Sequence, residues 1–247
     1  MNTAALSTEF AKSKRLRSGL IAVTLALAVT GLTVVSAATS PAFASAQGSW
    51  GALLAGLGLA FPICSPLLLA VLASRQVEIE HQSNGWLFAQ TSGISPGALC
   101  RLKLLTTGAG AVTATAAASS MVLVFGLITG DASSLPWGLW VGYTLSIIVV
   151  NLAVLALHIL LASQVQNQLV GLGIGVLGTL IGVFASAMPA SIAHLTPWGY
   201  YALSTAAEYQ GEDLVLTQPS HLSVAALAVV AAGAFGAVTT FFDHKET

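Results

Sequence analysis

The sequence predicts an all-α polytopic membrane protein of six transmembrane helices with both termini in the cytoplasm. Three observations predict it. Of the 247 residues, 55% are hydrophobic and only 7% are charged, against about 25% charged in soluble domains. A soluble chain so poor in charge could not cover its surface. Apolar runs of the length needed to cross a membrane, roughly 20 residues each, recur six times. The charges are also one-sided. With the N-terminus inside, all eight basic residues (Lys12, Lys14, Arg15, Arg17, Arg75, Arg101, Lys103 and Lys245) fall in cytoplasmic segments. The outer loops then hold only acids, Asp131, Glu208, Glu212 and Asp213, an asymmetry the positive-inside rule requires. The protein is expected in the plasma membrane.

Residues 1–18 form a polar cytoplasmic segment ending in a basic cluster. A single transmembrane domain follows over 19–242, and its first span covers about 19–37. This start has a second reading. A basic stretch, an apolar run and then Ala42-Phe43-Ala44-Ser45-Ala46 also fit a secretory signal with a small-x-small cleavage site. Against it, the apolar run exceeds the usual 7–15 residues, and another span begins at once from Trp50. Retention of the first span and cleavage within 44–46 both stay open.

The second span covers about 50–74. Gly51, Ala55 and Gly58 share one face, small enough for close helix approach. Pro62 and Pro66 each remove a backbone donor and are expected to kink it. The longest polar interruption follows, residues 75–103. Near its end, Ser95-Pro96 reads as an N-cap with proline in the first helical position. The third helix should therefore run from 96 to about 129, some 50 Å against a hydrocarbon core of about 30 Å. Its crossing part is about 103–129, with Arg101 and Lys103 at headgroup level.

The fourth span, about 137–162, opens on Trp137 and Trp140 as interface anchors. Asn151 and His158 lie seven apart on one face; such residues polarise a pathway or hydrogen-bond between helices. The fifth span, about 169–187, carries Gly171, Gly175, Gly178 and Gly182 as one small stripe for backbone-close packing. In the long outer loop 188–221, Thr196-Pro197 can start a short helix carrying Trp198, Tyr200, Tyr201 and Tyr209, lying in the membrane interface. The sixth span is about 222–242, and 243–247 is a cytoplasmic tail.

Several chemistries have no residues to carry them. The chain has no Gly-x-x-x-x-Gly-Lys-Ser/Thr phosphate loop, no His-Glu-x-x-His and no Gly-x-Ser-x-Gly. Cys64 sits in an apolar run and Cys100 in the polar loop, which argues against a disulfide, and no Cys/His spacing suits a metal. The expectation is a protein that is not an enzyme and has no cofactor of its own. A net charge of −1 and the lack of a long basic tract give nucleic acid no purchase. Span interiors free of Asp, Glu, Lys and Arg weigh against a proton-coupled carrier.

The residues of the polar interruption resemble a known family. Glu78 and Glu80, then Gly85-Trp86, then Ile94-Ser95-Pro96 and Lys103 are similar to the loop between spans two and three in permeases of the ABC-transporter type-2 superfamily. Chain length, a short first outer loop, Trp50 and Pro197-Trp198-Gly199-Tyr200 look most like the permeases of lantibiotic-immunity and bacitracin-resistance exporters. The resemblance implies a coupling helix seated in a separate ABC ATPase subunit, which would hold the ATP and Mg. It implies a second permease, identical or similar, and export of an amphipathic substrate, a lantibiotic-like antimicrobial peptide. The coupling residues would be Glu78, Glu80, Gly85, Trp86, Leu87 and Phe88. The acids would pair with basic groups of the ATPase or with Arg75. Gly85 would end a helix over 75–84 as a left-handed cap, and the apolar trio would fill a pocket. The family also makes the glycine stripe of span five a dimer face or an intrasubunit packing face. Without the resemblance, the acids read equally as a solvated face and Trp86 as a belt aromatic. An ion-coupled secondary carrier and a non-transporting scaffold or regulatory subunit are the alternative functions.

Overall fold

The polar N-terminal segment is itself a helix, α1, Thr3–Arg15. Arg17 then takes a left-handed conformation, and this single reversed residue turns the chain into α2, Ser18–Ala38. The computed structural model describes residues 3–44, 49–129, 132–210 and 213–245. Ser45 and Ala46 of the small-x-small motif, the acids Asp131 and Glu212, and the last two residues of the tail lie outside these.

α3, Ser49–Gln82, is one continuous helix with Pro62 and Pro66 inside it. At 1.5 Å per residue it is about 51 Å long. It continues past the expected end at 74, and takes Arg75, Glu78 and Glu80 as further helical turns. No separate helix over 75–84 forms, and Gly85 is not its cap: Asn84 is the left-handed residue. Next come α4, Gly85–Thr91, and α5, Pro96–Thr129. The amide of Ala98 donates to Ser95 Oγ at 3.4 Å, so the Ser-Pro pair starts α5 as a cap followed by proline. α6 is Trp137–Gln164 and α7 is Gln168–Phe184, whose first free amide, Leu169 N, donates to Asn167 Oδ1 at 3.0 Å. After short helices α8, Ala190–Ala193, and α9, Tyr200–Leu203, an antiparallel hairpin pairs β1, Ala207–Gln210, with β2, Asp213–Leu216. α10, His221–Lys245, ends the described chain. Six helices are long and apolar enough to cross a membrane, and the protein is an all-α multi-pass membrane protein.

α3 is the axis of the bundle and packs against α2, α5, α6 and α7. Small residues make this possible. A Cβ on Gly56 would lie 3.0 Å from the Thr33 carbonyl of α2, and one on Gly126 of α5 would lie 2.5 Å from the Trp50 ring. Gly51 and Gly58 serve a different purpose from the expected helix contact. They receive the outer loop, with Leu214 of β2 over Gly51 and Thr205 over Gly58.

The aromatics of that loop correct the sequence reading. Thr196 Oγ1 does accept from the Gly199 amide at 3.3 Å, starting a turn of 3-10 helix over Pro197–Gly199. But Trp198, Tyr200 and Tyr201 are buried, and of the four only Tyr209 is well exposed. They enter the bundle instead of lying along its rim. Non-helical backbone within a membrane bundle is tolerated where protein covers it, and the glycine stripe of α7 makes the room. Gly178 lies under the Trp198 ring, and Gly182 against Tyr201 and Pro62. Lower down, Gly175 meets Ala70 and Gly171 meets Ser74 of α3. The stripe is filled within the subunit, as the packing-face reading expects. Trp140 is likewise no interface anchor. It is buried, donates from Nε1 to Ser119 Oγ at 3.0 Å, and meets Trp50 edge-on. Trp137 is exposed.

The stripe gives a paired prediction. A leucine at Gly175 must displace Ala70, since even a Cβ would lie 2.7 Å away; overpacking of this kind costs about 1–3 kcal/mol. Nothing lies within 4 Å of a Cβ on Gly173. In detergent thermal melts, Gly175→Leu should unfold at a clearly lower temperature than the parent, while Gly173→Leu should not.

Candidate functional site

The basic end of the bundle holds four charged side chains that the sequence scatters over three segments. Lys103, in the second turn of α5, is fully buried. An ammonium has three N–H donors, and all three are used. They go to Glu80 Oε1 at 2.7 Å, to Glu9 Oε2 at 3.0 Å and to the Gln76 carbonyl at 2.8 Å. Lys12 closes the cluster from its solvent side, 2.7 Å from Glu9 Oε1 and 2.8 Å from Glu80 Oε1. Two lysines and two glutamates make the cluster neutral. Gln76 Nε2 adds a bond to Ser18 Oγ at 2.5 Å, which ties the start of α2 to the same place.

Lys12 retains partial solvent access, and its pKa shows the balance. Burial alone pulls it down, but hydrogen bonds to Glu80 and Glu9 outweigh that and leave it above the ordinary lysine value. A lysine raised on folding stabilises the folded chain below its unfolded pKa and loses that contribution only as pH climbs through the folded value. The contribution of Lys12 is therefore at full strength at neutral pH and, on the alkaline side, is lost only as pH climbs through that raised value.

This geometry overturns two expectations. Lys103 does not face solvent or lipid but is enclosed by the protein, because three acceptors converge where it lies. Glu80 is not an exposed contact and does not pair with Arg75; it is 1% exposed and committed to Lys103 and Lys12. Glu78 is half-buried and accepts from Gln82 Nε2 at 2.6 Å within its own helix.

α4 is built directly on the cluster. A Cβ on Gly85 would fall 1.9 Å from Glu80 Oε2, so any other residue there must push that carboxylate aside. Trp86 donates from Nε1 to His81 Nδ1 at 3.3 Å, and the second nitrogen of His81 lies 3.0 Å from the Ala162 carbonyl. With Nδ1 accepting, the proton sits on Nε2 and is donated to the end of α6. At the other end Gly93 is left-handed, with φ of 77°. The amide of Ile94 reaches back to Ala89 O at 2.8 Å, a Schellman closure. Asn84 and Gly93 thus bracket α4 with two sharp turns. No residue of α4 is buried, and Leu87 and Phe88 are 62% and 69% exposed. Beside Phe88, a depression of about 440 Å³ opens between α1 and α4, with Glu9, Lys12 and Glu80 in its floor and wall.

The remaining candidates lie deeper. Asn151 donates to Thr115 Oγ1 at 2.8 Å and accepts from the Tyr201 hydroxyl at 2.7 Å, joining α5, α6 and α9. His158 is buried with its ring edge-on to Trp198, centroids 6.2 Å apart. The residues the sequence left unused are Glu9, Lys12 and Gln76. Their one available signal was an acid three residues before a lysine on a helical face, with the adjoining Ala5 apolar.

Residues 5–182, more than half of the chain, match the sequence profile described as ABC-2 family transporter protein. The matched stretch takes in α1, the charge cluster and α4. No curated protein matches the chain.

Breaking a buried pair by removing one partner costs about 3–5 kcal/mol, because the other charge stays behind. Lys103→Met should therefore lower the detergent melting temperature strongly, and Lys12→Met less. The double variant Lys103→Met/Glu80→Met keeps Lys12 against Glu9 and should recover part of the loss. A double variant no more stable than Lys103→Met would contradict the pairing.

Proposed function

The chain belongs to the ABC-2 family of transporter proteins, a family of membrane permease subunits, and from that premise we propose that α4 is the helix through which a separate ATPase subunit drives it. One observation carries the reading. At the basic end of an otherwise membrane-embedded chain, a short helix presents two large apolar side chains, Leu87 and Phe88, to water while its base is fastened to α3 and, through His81 and Glu80, linked to α6 and α5. An exposed apolar pair on a fixed support is what a partner's pocket needs. The 440 Å³ depression beside Phe88 offers the partner a complementary recess with charged walls. ATP and Mg belong to that partner, since this chain has no phosphate loop.

Glu80 and Gly85 act in this reading as the seat of α4, and Trp86 as its fastening to α3. Leu87 and Phe88 are the contact, with Glu78 at its edge. The cargo is an amphipathic molecule, a lantibiotic-like peptide in the resemblance described above, and a second permease completes the pathway. With the glycine stripe of α7 filled internally, a partner permease meets the opposite face of that helix, where Leu177, Leu180 and Phe184 are exposed.

The test is retention of the ATPase. Parent protein drawn from membranes of its own cell should bring down a chain with a phosphate-loop motif. Leu87→Asp/Phe88→Asp touches no buried residue, so it should leave insertion and melting unchanged and cut the captured ATPase by about tenfold, the equivalent of one lost anchor residue. Undiminished capture in that variant sinks the docking reading.

A further inference from the structure

A second, larger cavity lies on the side of the bundle formed by α5, α6 and α10, and its basic end reaches Gly93 and Ile94 behind α4. It measures about 840 Å³, within the range of about 300–1,000 Å³ typical of ligand pockets. Its shape follows from where small residues fall. α5 and α10 touch at their basic ends, where a Cβ on Gly97 would lie 1.9 Å from the Thr239 carbonyl. Above that contact the helices are lined by Ala228, Ala231, Ala232 and Gly236 on one side and by Ala153 and Ala156 of α6 on the other. A Cβ on Gly236 would meet nothing within 4 Å. Glycine inside a helix costs about 1 kcal/mol relative to alanine, and no neighbour requires it here. What it preserves is open space.

The lining is apolar except at one point. Arg101 is its single charged residue. The guanidinium donates from Nη1 to Thr239 Oγ1 at 3.0 Å and from Nη2 to Asp243 Oδ2 at 2.9 Å. That uses two of five N–H groups. Asp243 pairs with it from outside the lining, so the cleft's charged donors are the remaining guanidinium N–H groups. From Gly236 to Ala228 the cleft climbs about 12 Å along α10, close to the roughly 15 Å depth of one leaflet's hydrocarbon. By the charge distribution, Arg101 sits at its cytoplasmic base.

We propose that this cleft is a binding site for an anionic phospholipid of the inner leaflet, with an acyl chain in the alanine-lined groove and the phosphate on Arg101. The remaining guanidinium donors disfavour a cationic peptide. A phosphate suits a guanidinium in both charge and planar geometry.

The test uses the full chain released from nanodiscs of equal phosphatidylglycerol and phosphatidylcholine, with bound lipid read by native mass spectrometry. The parent should retain phosphatidylglycerol over phosphatidylcholine by about tenfold, the effect of one charge-assisted hydrogen bond. Ala232→Trp fills the groove from an exposed position and should lose both lipids. Arg101→Gln should keep lipid but lose the preference, and Arg101→Lys should keep most of it. Lipid retained by Ala232→Trp as by the parent, or a preference surviving Arg101→Gln, overturns the proposal, as does displacement of the lipid by a cationic peptide or formation of a copy-to-copy cross-link through a cysteine placed at 232. None of these readouts involves the ATPase or transport, so their failure leaves the docking of α4 untouched.

Discussion

Lys103 carries a charge to a place without water, and the basic end of the protein is organised by the need to match it there. A lysine ammonium in a low-dielectric interior is tolerated only with its donors satisfied and its charge neutralised. The matching groups come from α3 (Glu80 and the Gln76 carbonyl) and from α1 (Glu9). So α1, α3 and α5 must meet at one point, and the N-terminal segment becomes a structural part of the bundle although none of it crosses the membrane. Glu9 and Glu80 would repel each other with a single lysine between them. Lys12 supplies the second positive charge and makes the cluster neutral. The same point fixes α2, through Ser18 and Gln76, and sets where α4 can begin, since Gly85 rests against the Glu80 carboxylate.

The sequence exposes some of this and conceals the rest, for physical reasons. The six spans are legible because apolar length and charge sidedness are properties of one helix against one membrane. The start of α5 is legible because a serine cap and a following proline act locally, on amides one turn away. Lys103 is misread because the positive-inside rule counts a basic residue on the correct side whether it faces water or an acid. Its partners are 23 and 94 residues away, on segments whose meeting no periodicity announces. Gly85 is misread for a related reason. It looks like a helix cap, but its smallness answers to the Glu80 carboxylate, and Asn84 takes the left-handed turn. Trp198 and Tyr201 look like belt aromatics because amphipathic rings near a span end usually are. Their true places are set by Gly178 and Gly182 on another helix, and those glycines carry no mark of what will rest on them.

The apolar pair on α4 and the cleft under Arg101 are distinguished by their supports. Leu87 and Phe88 stand on a helix with no buried residue, held at its ends by reversed backbone at Asn84 and Gly93 and underneath by Trp86, His81 and Glu80. A load on α4 therefore has short, hydrogen-bonded routes into α3, α5 and α6. α3 and α5 each continue as an unbroken helix of 34 residues to the far side of the membrane. The cleft under Arg101 is the opposite case. Its walls are α5, α6 and α10 where they do not touch, and small residues leave the space between them open. Any tilt of α5 against α10 about the Gly97–Thr239 contact changes the width of that cleft. An occupant held there would resist the tilt, so the lipid composition of the inner leaflet would bear on how far a load applied at α4 can move α5. That relation follows from α5 being one rigid element that takes part in both places, with Lys103 and Arg101 two residues apart on it, one facing the cluster and the other the cleft.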